Sequence, residues 1–212
     1  MTPRRSVAAQ GVLFIASLVL SLVVGARMPD QVVTHWGLNG QPDGWGSKWI
    51  TMLIMPGVLL LMLGLTILLP RLSPKGFRLE NSGPTYGWLM FLVAGLMAIL
   101  HAVILFKTAG AAFDIGRVIL AAMFGAWILM GNVIGRVQPN YYMGIRTPWT
   151  LSSQSVWQAT HRSAGRLWVT GGLVGLFAAL LGLPPTLLIA FFFVICLAPV
   201  VQSYFIYRRL EP

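Results

Sequence analysis

The chain has 212 residues, of which 57% are hydrophobic and only 9% are charged. A soluble domain carries roughly a quarter charged residues, so this composition excludes an ordinary soluble protein and indicates an integral membrane protein. The formal net charge of +10 comes from basic residues scattered among short loops, without a basic face that would grip nucleic acid phosphates. We therefore expect no direct binding of nucleic acid, and we attribute the charge to membrane lipid headgroups and to basic cytoplasmic loops.

Six apolar segments approach or reach the roughly 20 residues that a helix needs to cross a bilayer. They cover residues 7–25, 50–69, 87–106, 118–134, 167–183 and 186–207. The first is long for the core of a signal peptide, so we interpret it as a retained helix. The sequence predicts an all-α integral membrane protein with six transmembrane helices.

The 15 Lys and Arg residues are divided unevenly between the two sides of the membrane that alternate loops would occupy. One side holds Arg27, Lys48, Lys107 and Arg117. The other side holds Arg4, Arg5, Arg71, Lys75, Arg78, Arg136, Arg146, Arg162, Arg166, Arg208 and Arg209. Because cytoplasmic loops carry the excess of basic residues, we expect both termini to be cytoplasmic.

One stretch between the fourth and fifth spans is polar and aromatic, and we call it the polar segment: residues 139–168, PNYYMGIRTPWTLSSQSVWQATHRSAGRLW. Gly144 and Pro148 bend the chain, so we expect its first half to be a shaped loop. Ser152 or Ser153 is suited to cap a following helix. The apolar residues at helical spacing after it are Val156, Ala159 and Leu167. We predict a structured loop followed by a short amphipathic interfacial helix at the cytoplasmic surface, which leads into the fifth span.

The loop between the first two spans, residues 28–48, reads MPDQVVTHWGLNGQPDGWGSK. The β-branched residues from Val32 to Thr34 favour an extended strand. Turn signals follow at Asn39-Gly40 and at Pro42-Asp43-Gly44. The sequence predicts a small extracytoplasmic hairpin-like cap over the outer ends of the helices.

The polar segment supplies most of the residues suited to bind a ligand or a partner. Arg146 presents a planar fork of donors beside Trp149, and such a fork suits a phosphate, a carboxylate or a helix C-terminus. Alternatively, Arg146 holds its own loop by bonding to neighbouring carbonyl groups or to lipid phosphate, and Glu80 is a candidate ion-pair partner of Arg146 or Arg162. His161 is suited either to accept a proton or only to form a hydrogen bond at the interface. The candidate binding residues of the segment are Asn140, which is also expected to close the turn, Gly144, Arg146, Thr147, Pro148, Trp149, His161 and Arg162.

On the outer side, the candidate ligand-binding residues are His35, Trp36 and Asp43. The histidines and acids of that side, which are the ingredients of a metal site, are His35, His101, Asp30, Asp43 and Asp114. No close ligand spacing such as His-x-x-x-His supports a metal, so we expect neither a metal nor a cofactor. His101 and Asp114 are nevertheless placed where they could meet, and Asn132 is expected to bond between helices.

No enzyme is indicated, because the chain has no Gly-x-Ser-x-Gly, no His-Glu-x-x-His, no phosphate-binding glycine loop and no paired intramembrane carboxylates. A small-molecule or peptide transporter or exporter remains an alternative. Such proteins usually show polar residues at the midplane, broken helices or internal repeats.

The polar segment, preceded by Asn132, closely resembles the signature of the SdpI family of bacterial membrane proteins, above all in the Gly-Ile-Arg-Thr-Pro-Trp-Thr core that begins at Gly144. The outer loop resembles the N-terminal module of unknown function found in longer members of that family. The resemblance divides the chain into an N-terminal three-helix half, residues 1–112, and a signature half, residues 113–212.

The resemblance implies a protein of the bacterial cytoplasmic membrane that gives immunity to a membrane-active antimicrobial peptide. In the family's best-known role, the immunity protein is also a receptor that recruits a cytoplasmic transcriptional repressor. The expected partners are therefore membrane lipids, a toxin peptide and a repressor.

Overall fold

A computed structural model describes residues 1–37, 40–74 and 79–211, with only the backbone described at Glu80 and Asn81. Six helices in that part of the chain are long and apolar enough to cross a membrane. They are α1 (Pro3–Gly25), α2 (Lys48–Leu72), α3 (Gly83–Thr108), α4 (Ile115–Ile134), α6 (Gln154–Leu180) and α7 (Pro185–Leu210); α5 (Pro148–Ser152) is a short helix between α4 and α6. The six predicted spans are confirmed as helices. Asn39, Lys75 and Arg78, used above to predict a turn and the orientation, lie outside the described residues.

The helices turn apolar side chains outward, as contact with lipid requires. Val12, Phe177 and Leu180, for example, are 65%, 68% and 64% exposed. The inward face of α1 is instead polar, with Ser6, Gln10, Ser17, Ser21 and Gly25 as its buried residues. Because helices satisfy their own backbone groups, such a chain can cross the bilayer with polar side chains paired inside the bundle.

The transmembrane helices pack in two neighbouring sets, α1 with α2 and α3, and α4 with α6 and α7, and α3 also packs against α4. The contact between α4 and α6 depends on glycine. A side chain at Gly131 would lie 2.7 Å from the carbonyl oxygen of Gly165, and the reverse distance is the same. Small residues allow this close approach of two helices in a membrane. The proposed division at residue 112 follows the same grouping but remains a prediction.

The loop between α1 and α2 forms an antiparallel hairpin of β1 (Gln31–Trp36) and β2 (Pro42–Ser47), and we call it the outer hairpin. Gly40, with φ of 73°, belongs to its turn, since its N–H donates to Gly37 O at 2.9 Å. The predicted second turn at Pro42-Asp43-Gly44 is wrong, because these residues lie in β2, where two irregularities in the register absorb them.

Residues 154–180 form one helix, α6, so the structure shows no separate interfacial helix after the α4–α6 loop, which comprises residues 135–153. Ser153 caps this helix as predicted, accepting a hydrogen bond from Val156 N at 3.4 Å. At 1.5 Å per residue, 27 residues span about 40 Å, more than the roughly 30 Å of a hydrocarbon core. The first turns of α6 therefore extend past the apolar layer without a break in the helix.

Both chain ends lie at the same end of the bundle as the α4–α6 loop. The N-terminal amino group lies 3.4 Å from Pro84 O, at the start of α3. Nearby, Gln138 N of the loop donates to Ser82 Oγ at 3.0 Å. At the other terminus, Glu211 Oε1 accepts hydrogen bonds from Ser153 and Ser155 at 2.8 and 3.1 Å. The outer hairpin lies at the opposite end, where Thr108 Oγ1, at the end of α3, donates to Val33 O.

Candidate functional site

Asn140 closes the first turn of the α4–α6 loop from inside, and it is fully buried. Its Oδ1 accepts hydrogen bonds from Tyr142 N and Met143 N at 2.8 and 2.7 Å. Its Nδ2 donates to Gln138 O and Met143 O at 2.9 and 3.2 Å. The side chain thus makes the four hydrogen bonds that an amide group can make, and it fixes the backbone of the turn. The predicted closing role agrees with this geometry.

His161 supports the next part of the loop from below and is also fully buried. Its Nε2 accepts a hydrogen bond from Ile145 N at 3.0 Å, so Nδ1 carries the hydrogen and donates to Trp157 O at 2.8 Å. The ring stacks on Trp157 with centroids 4.1 Å apart. Trp157 Nε1 in turn donates to Val137 O at 2.7 Å. One helical turn of α6 therefore holds the loop at Val137, near its start, and at Ile145, near its middle.

Gly144 fits between the loop and the imidazole only because it lacks a side chain. Its φ is 100°, in the left-handed region that favours glycine. A Cβ at this position would overlap with Nε2 of His161. Both the backbone conformation and the lack of space at this position therefore require glycine.

Thr147 and Thr150 end the loop in a reciprocal capping box around the start of α5. Thr150 Oγ1 accepts from Thr147 N at 2.9 Å, and Thr150 N donates to Thr147 Oγ1 at 3.3 Å. The Thr147 hydroxyl also lies 3.1 Å from Ser203 Oγ on α7. Pro148 occupies the first turn of α5, where its fixed φ is favourable and its missing N–H costs nothing.

Arg146 and Trp149 lie on the face of the same loop that points away from the helix bundle. Arg146 is exposed, and its Nη1 donates to Tyr141 O within the loop. Trp149 packs edge-on against Tyr204 of α7, with centroids 5.2 Å apart. Tyr142 ties the loop to α2 by donating to Leu72 O at 2.9 Å. Arg146 therefore stabilises its own loop while leaving the rest of its guanidinium group open to a ligand.

A cavity of about 510 Å³ lies beneath the loop, between α3, α4, α6 and α7. Its walls are mainly apolar and include Trp127 and Trp168, whose rings are 4.3 Å apart, and Arg146 stands at its edge. Trp127 Nε1 is buried and has no hydrogen-bond partner among the described residues. The cavity thus combines an apolar lining with one cation at its edge.

The structure brings Asn140, Gly144, Thr147 and His161 together, but it places Arg162 elsewhere. Arg162 is exposed on a different face of α6, where it borders a groove against α4. The predicted buried stripe is also displaced, because Ala159 and Leu167 are only half-buried. The buried face of α6 includes Val156, Trp157, Thr160, His161, Ala164, Gly165 and Trp168. The side chain of Glu80 lies outside the described part of the chain.

The outer candidates form a separate cluster at the other end of the bundle. His35 Nδ1 and Asp43 Oδ1 form a hydrogen-bonded pair across the outer hairpin, with side chains 71% and 52% exposed. Trp36 is half-buried beside them. In the described ranges no three His, Cys, Asp or Glu side chains come close enough to hold a metal ion.

Two expected contacts of intramembrane polar residues are wrong. His101 does not meet Asp114: its Nε2 lies 2.9 Å from Ser21 Oγ, whereas Asp114 caps α4 by accepting from Arg117 N. Asn132 does not bond between helices, because its Nδ2 donates to Ile128 O of its own helix at 2.8 Å. In each case a nearer hydrogen-bond partner takes the place of the expected one.

Sequence reasoning missed three residues of the loop's support. Trp157 lies one helical turn before His161, and this spacing of four is a signal for stacking on one face. Thr150 follows Thr147 at the spacing of a capping box, which is also readable from the sequence. Ser203 gives no local signal, since it meets the loop from 56 residues away.

Comparison with known proteins gives a family match in the region that contains the α4–α6 loop. Residues 136–203, which hold the α4–α6 loop, α6 and most of α7, match the model of the SdpI/YfhL protein family. The match places the signature of that family on the α4–α6 loop and the two helices that follow it. Residues 12–60, which hold most of α1, the outer hairpin and the start of α2, match the domain of unknown function DUF1648.

The chain is also 27% identical to the immunity protein SdpI of Bacillus subtilis (strain 168) over 162 residues, which are 74% of this chain and 73% of that protein. No solved structure matches. The resemblance to the SdpI family is thereby confirmed, and the chain is a multi-pass bacterial membrane protein. The similarity is to an immunity protein and not to an enzyme.

Proposed function

We propose that this protein is a membrane immunity protein that protects its cell from a membrane-active antimicrobial peptide. The similarity to the immunity protein SdpI supports this assignment. The observation that carries it is the α4–α6 loop, which lies within the family-matched residues and is held by buried hydrogen bonds through Asn140 and His161. A plain connector between two spans would not need such support.

The α4–α6 loop and both termini face the cytoplasm in this proposal. The end of the bundle that carries them is the basic one, and cytoplasmic loops carry the excess of Lys and Arg. The described basic residues at that end are Arg4, Arg5, Arg71, Arg136, Arg146, Arg162, Arg166, Arg208 and Arg209. A cytoplasmic partner such as a transcriptional repressor would then meet the exposed Arg146 and the half-buried Trp149 on a loop that is held by buried hydrogen bonds.

The toxin peptide meets the protein either at the outer hairpin, around His35, Trp36 and Asp43, or within the bilayer. For the second route, the cavity beneath the α4–α6 loop is suited to an apolar side chain of the peptide, because its walls are mainly apolar. Arg146 would offer hydrogen bonds to the peptide's carbonyl groups or C-terminus.

The test is a protection assay in sensitive bacteria that express the chain and are challenged with a depolarising peptide. The wild-type chain should protect, and Arg146→Ala should insert into the membrane but fail to protect. Arg146→Lys is the matched variant, because it keeps a charge while losing the planar fork. Full protection by Arg146→Ala would remove this loop from the function, and no protection by the wild-type chain would contradict immunity itself.

Transport remains the second candidate, and the observation that favours it is the polar face of α1. Gln10 Oε1 accepts from Thr66 Oγ1 of α2 at 3.1 Å, and Ser21 contacts His101 of α3. Polar residues inside transmembrane helices often mark a substrate or ion pathway. Substrate-dependent flux into sealed vesicles, abolished by Gln10→Leu and retained by Arg146→Ala, would establish this function in place of immunity.

A further inference from the structure

A second groove on this molecule has a chemistry unlike that of the cavity beneath the α4–α6 loop. It measures about 620 Å³ and runs between α4 and α6, on their outer surface. Arg136, Arg162 and Arg166 border it, together with Asn132 and Val169. Arg162 and Arg166 are four residues apart on one helix, so their side chains leave α6 on the same face.

The three arginines have no carboxylate partner among the described residues. The four described carboxylates bond elsewhere. Asp30 pairs with Lys48 at 3.0 Å, Asp43 bonds to His35, Asp114 caps α4 and Glu211 accepts from two serines. The end of α4 contributes only about half of a negative charge through its helix dipole, which is too little to neutralise three guanidinium groups. The groove therefore has an excess of positive charge.

The floor of the groove is made by glycine. Because α4 and α6 approach closely at Gly131 and Gly165, no side chain fills the space above their crossing. Gly135, at the end of α4, leaves room for the stem of Arg162, whose Cγ would lie 3.6 Å from a Cβ there. Asn132 is exposed at the same place, and its only hydrogen bond in the described structure is the donation to Ile128 O.

The position of the groove indicates what it binds. Its basic side lies where α4 ends, and its Val169 side lies within the apolar span of α6. A ligand that fits must carry an anion at one end and an apolar chain at the other. Basic pockets between transmembrane helices on the cytoplasmic side are typical binding sites for anionic lipid headgroups.

We propose that this groove is a binding site for an anionic phospholipid of the inner leaflet. Arg162 and Arg166 bind the phosphate as a pair, and Arg136 binds it from the end of α4. Asn132 bonds to a hydroxyl or ester oxygen of the headgroup. One acyl chain lies along Val169, over the glycine crossing. This site does not depend on the immunity function, since it uses other residues on another face, but its place in the inner leaflet rests on the orientation proposed above.

The experiment compares lipid retention by the purified full-length protein in mild detergent, measured by native mass spectrometry. Phosphatidylglycerol and phosphatidylcholine with the same chains are offered in equal amounts. We expect the wild-type protein to retain phosphatidylglycerol over phosphatidylcholine. The double variant Arg162→Gln with Arg166→Gln should lose this retention by about tenfold, and Arg162→Lys with Arg166→Lys should restore most of it.

The matched control is Arg208→Gln with Arg209→Gln, which removes two charges at the same end of the bundle but outside the groove. It should retain phosphatidylglycerol within about twofold of wild type, because retention depends on the converging arginines and not on total charge. Equal losses in the two double variants, or no loss in either, would overturn the proposal. Displacement of the lipid by inorganic phosphate alone would also overturn it, since it would show a site for a free anion.

Discussion

The α4–α6 loop and the outer hairpin leave opposite ends of the bundle and are held in opposite ways. In the loop, the polar side chains point inward: Asn140 and His161 are fully buried, and their hydrogen bonds go to the backbone. In the hairpin, the polar pair of His35 and Asp43 points outward, and attachment to the helices depends on a few contacts such as the one from Thr108. A buried polar network fixes one shape, whereas an exposed pair fixes little. The comparison indicates a rigid loop at one end of the bundle and a more adaptable hairpin at the other.

The largest effect on stability is expected when a side chain is added at Gly144, because the shape of the loop depends on the absence of one. Gly144→Ala should lower the free energy of unfolding by about 2–5 kcal/mol, because it adds left-handed strain and displaces His161 from Ile145 N. Thermal unfolding of the purified protein in detergent measures the change. Gly125→Ala is the control: a Cβ there meets nothing within 4 Å, and the helix should be unchanged or slightly more stable. Equal stability of both variants would contradict a loop locked by His161.

A somewhat smaller effect is expected from the imidazole itself. His161→Phe keeps the stacking on Trp157 but leaves Ile145 N–H and Trp157 O without their partner, which should cost about 2–3 kcal/mol of unfolding free energy.

The neighbouring Thr160 provides a control for His161 at the same depth. Thr160 is also fully buried, but its hydroxyl has no hydrogen-bond partner in the described structure. Thr160→Val should therefore be neutral or stabilising by up to about 1 kcal/mol. Chemical unfolding of the His161→Phe and Thr160→Val variants in detergent checks both predictions. If Thr160→Val were as damaging as His161→Phe, the effect would reflect packing and not the hydrogen bond to the loop.

The difference between the two regions also explains what the sequence could predict. The six spans are readable because lipid contact demands runs of apolar residues, and the loop at Gly144 and Pro148 is readable because bends demand those residue types. The buried face of α6 was misplaced because Thr160 and His161 count as polar in any periodicity, although one of them serves a backbone group that lies 16 residues earlier.

Long-range partners explain the other errors. Ser203 joins the loop by a contact that no local pattern shows, and His101 pairs with Ser21 because α1 turns its polar face inward. The predicted turn at Pro42-Asp43-Gly44 failed for a different reason. Turn-forming residues also occur at irregularities of strand pairing, and the register of β1 and β2 contains two of these.

The smallest effect on stability is expected in the outer hairpin. Asp43→Ala should change the free energy of unfolding by less than about 0.5 kcal/mol, because an exposed polar pair contributes little. Asp30→Ala is the control, since it breaks a second ion pair of this end, between Lys48 and Asp30, whose side chain is 92% exposed. If the hairpin is an adaptable contact surface for the toxin peptide, Asp43→Ala should weaken protection while Asp30→Ala preserves it. A loss of stability of more than about 1.5 kcal/mol in Asp43→Ala would instead show that the hairpin is held as firmly as the α4–α6 loop.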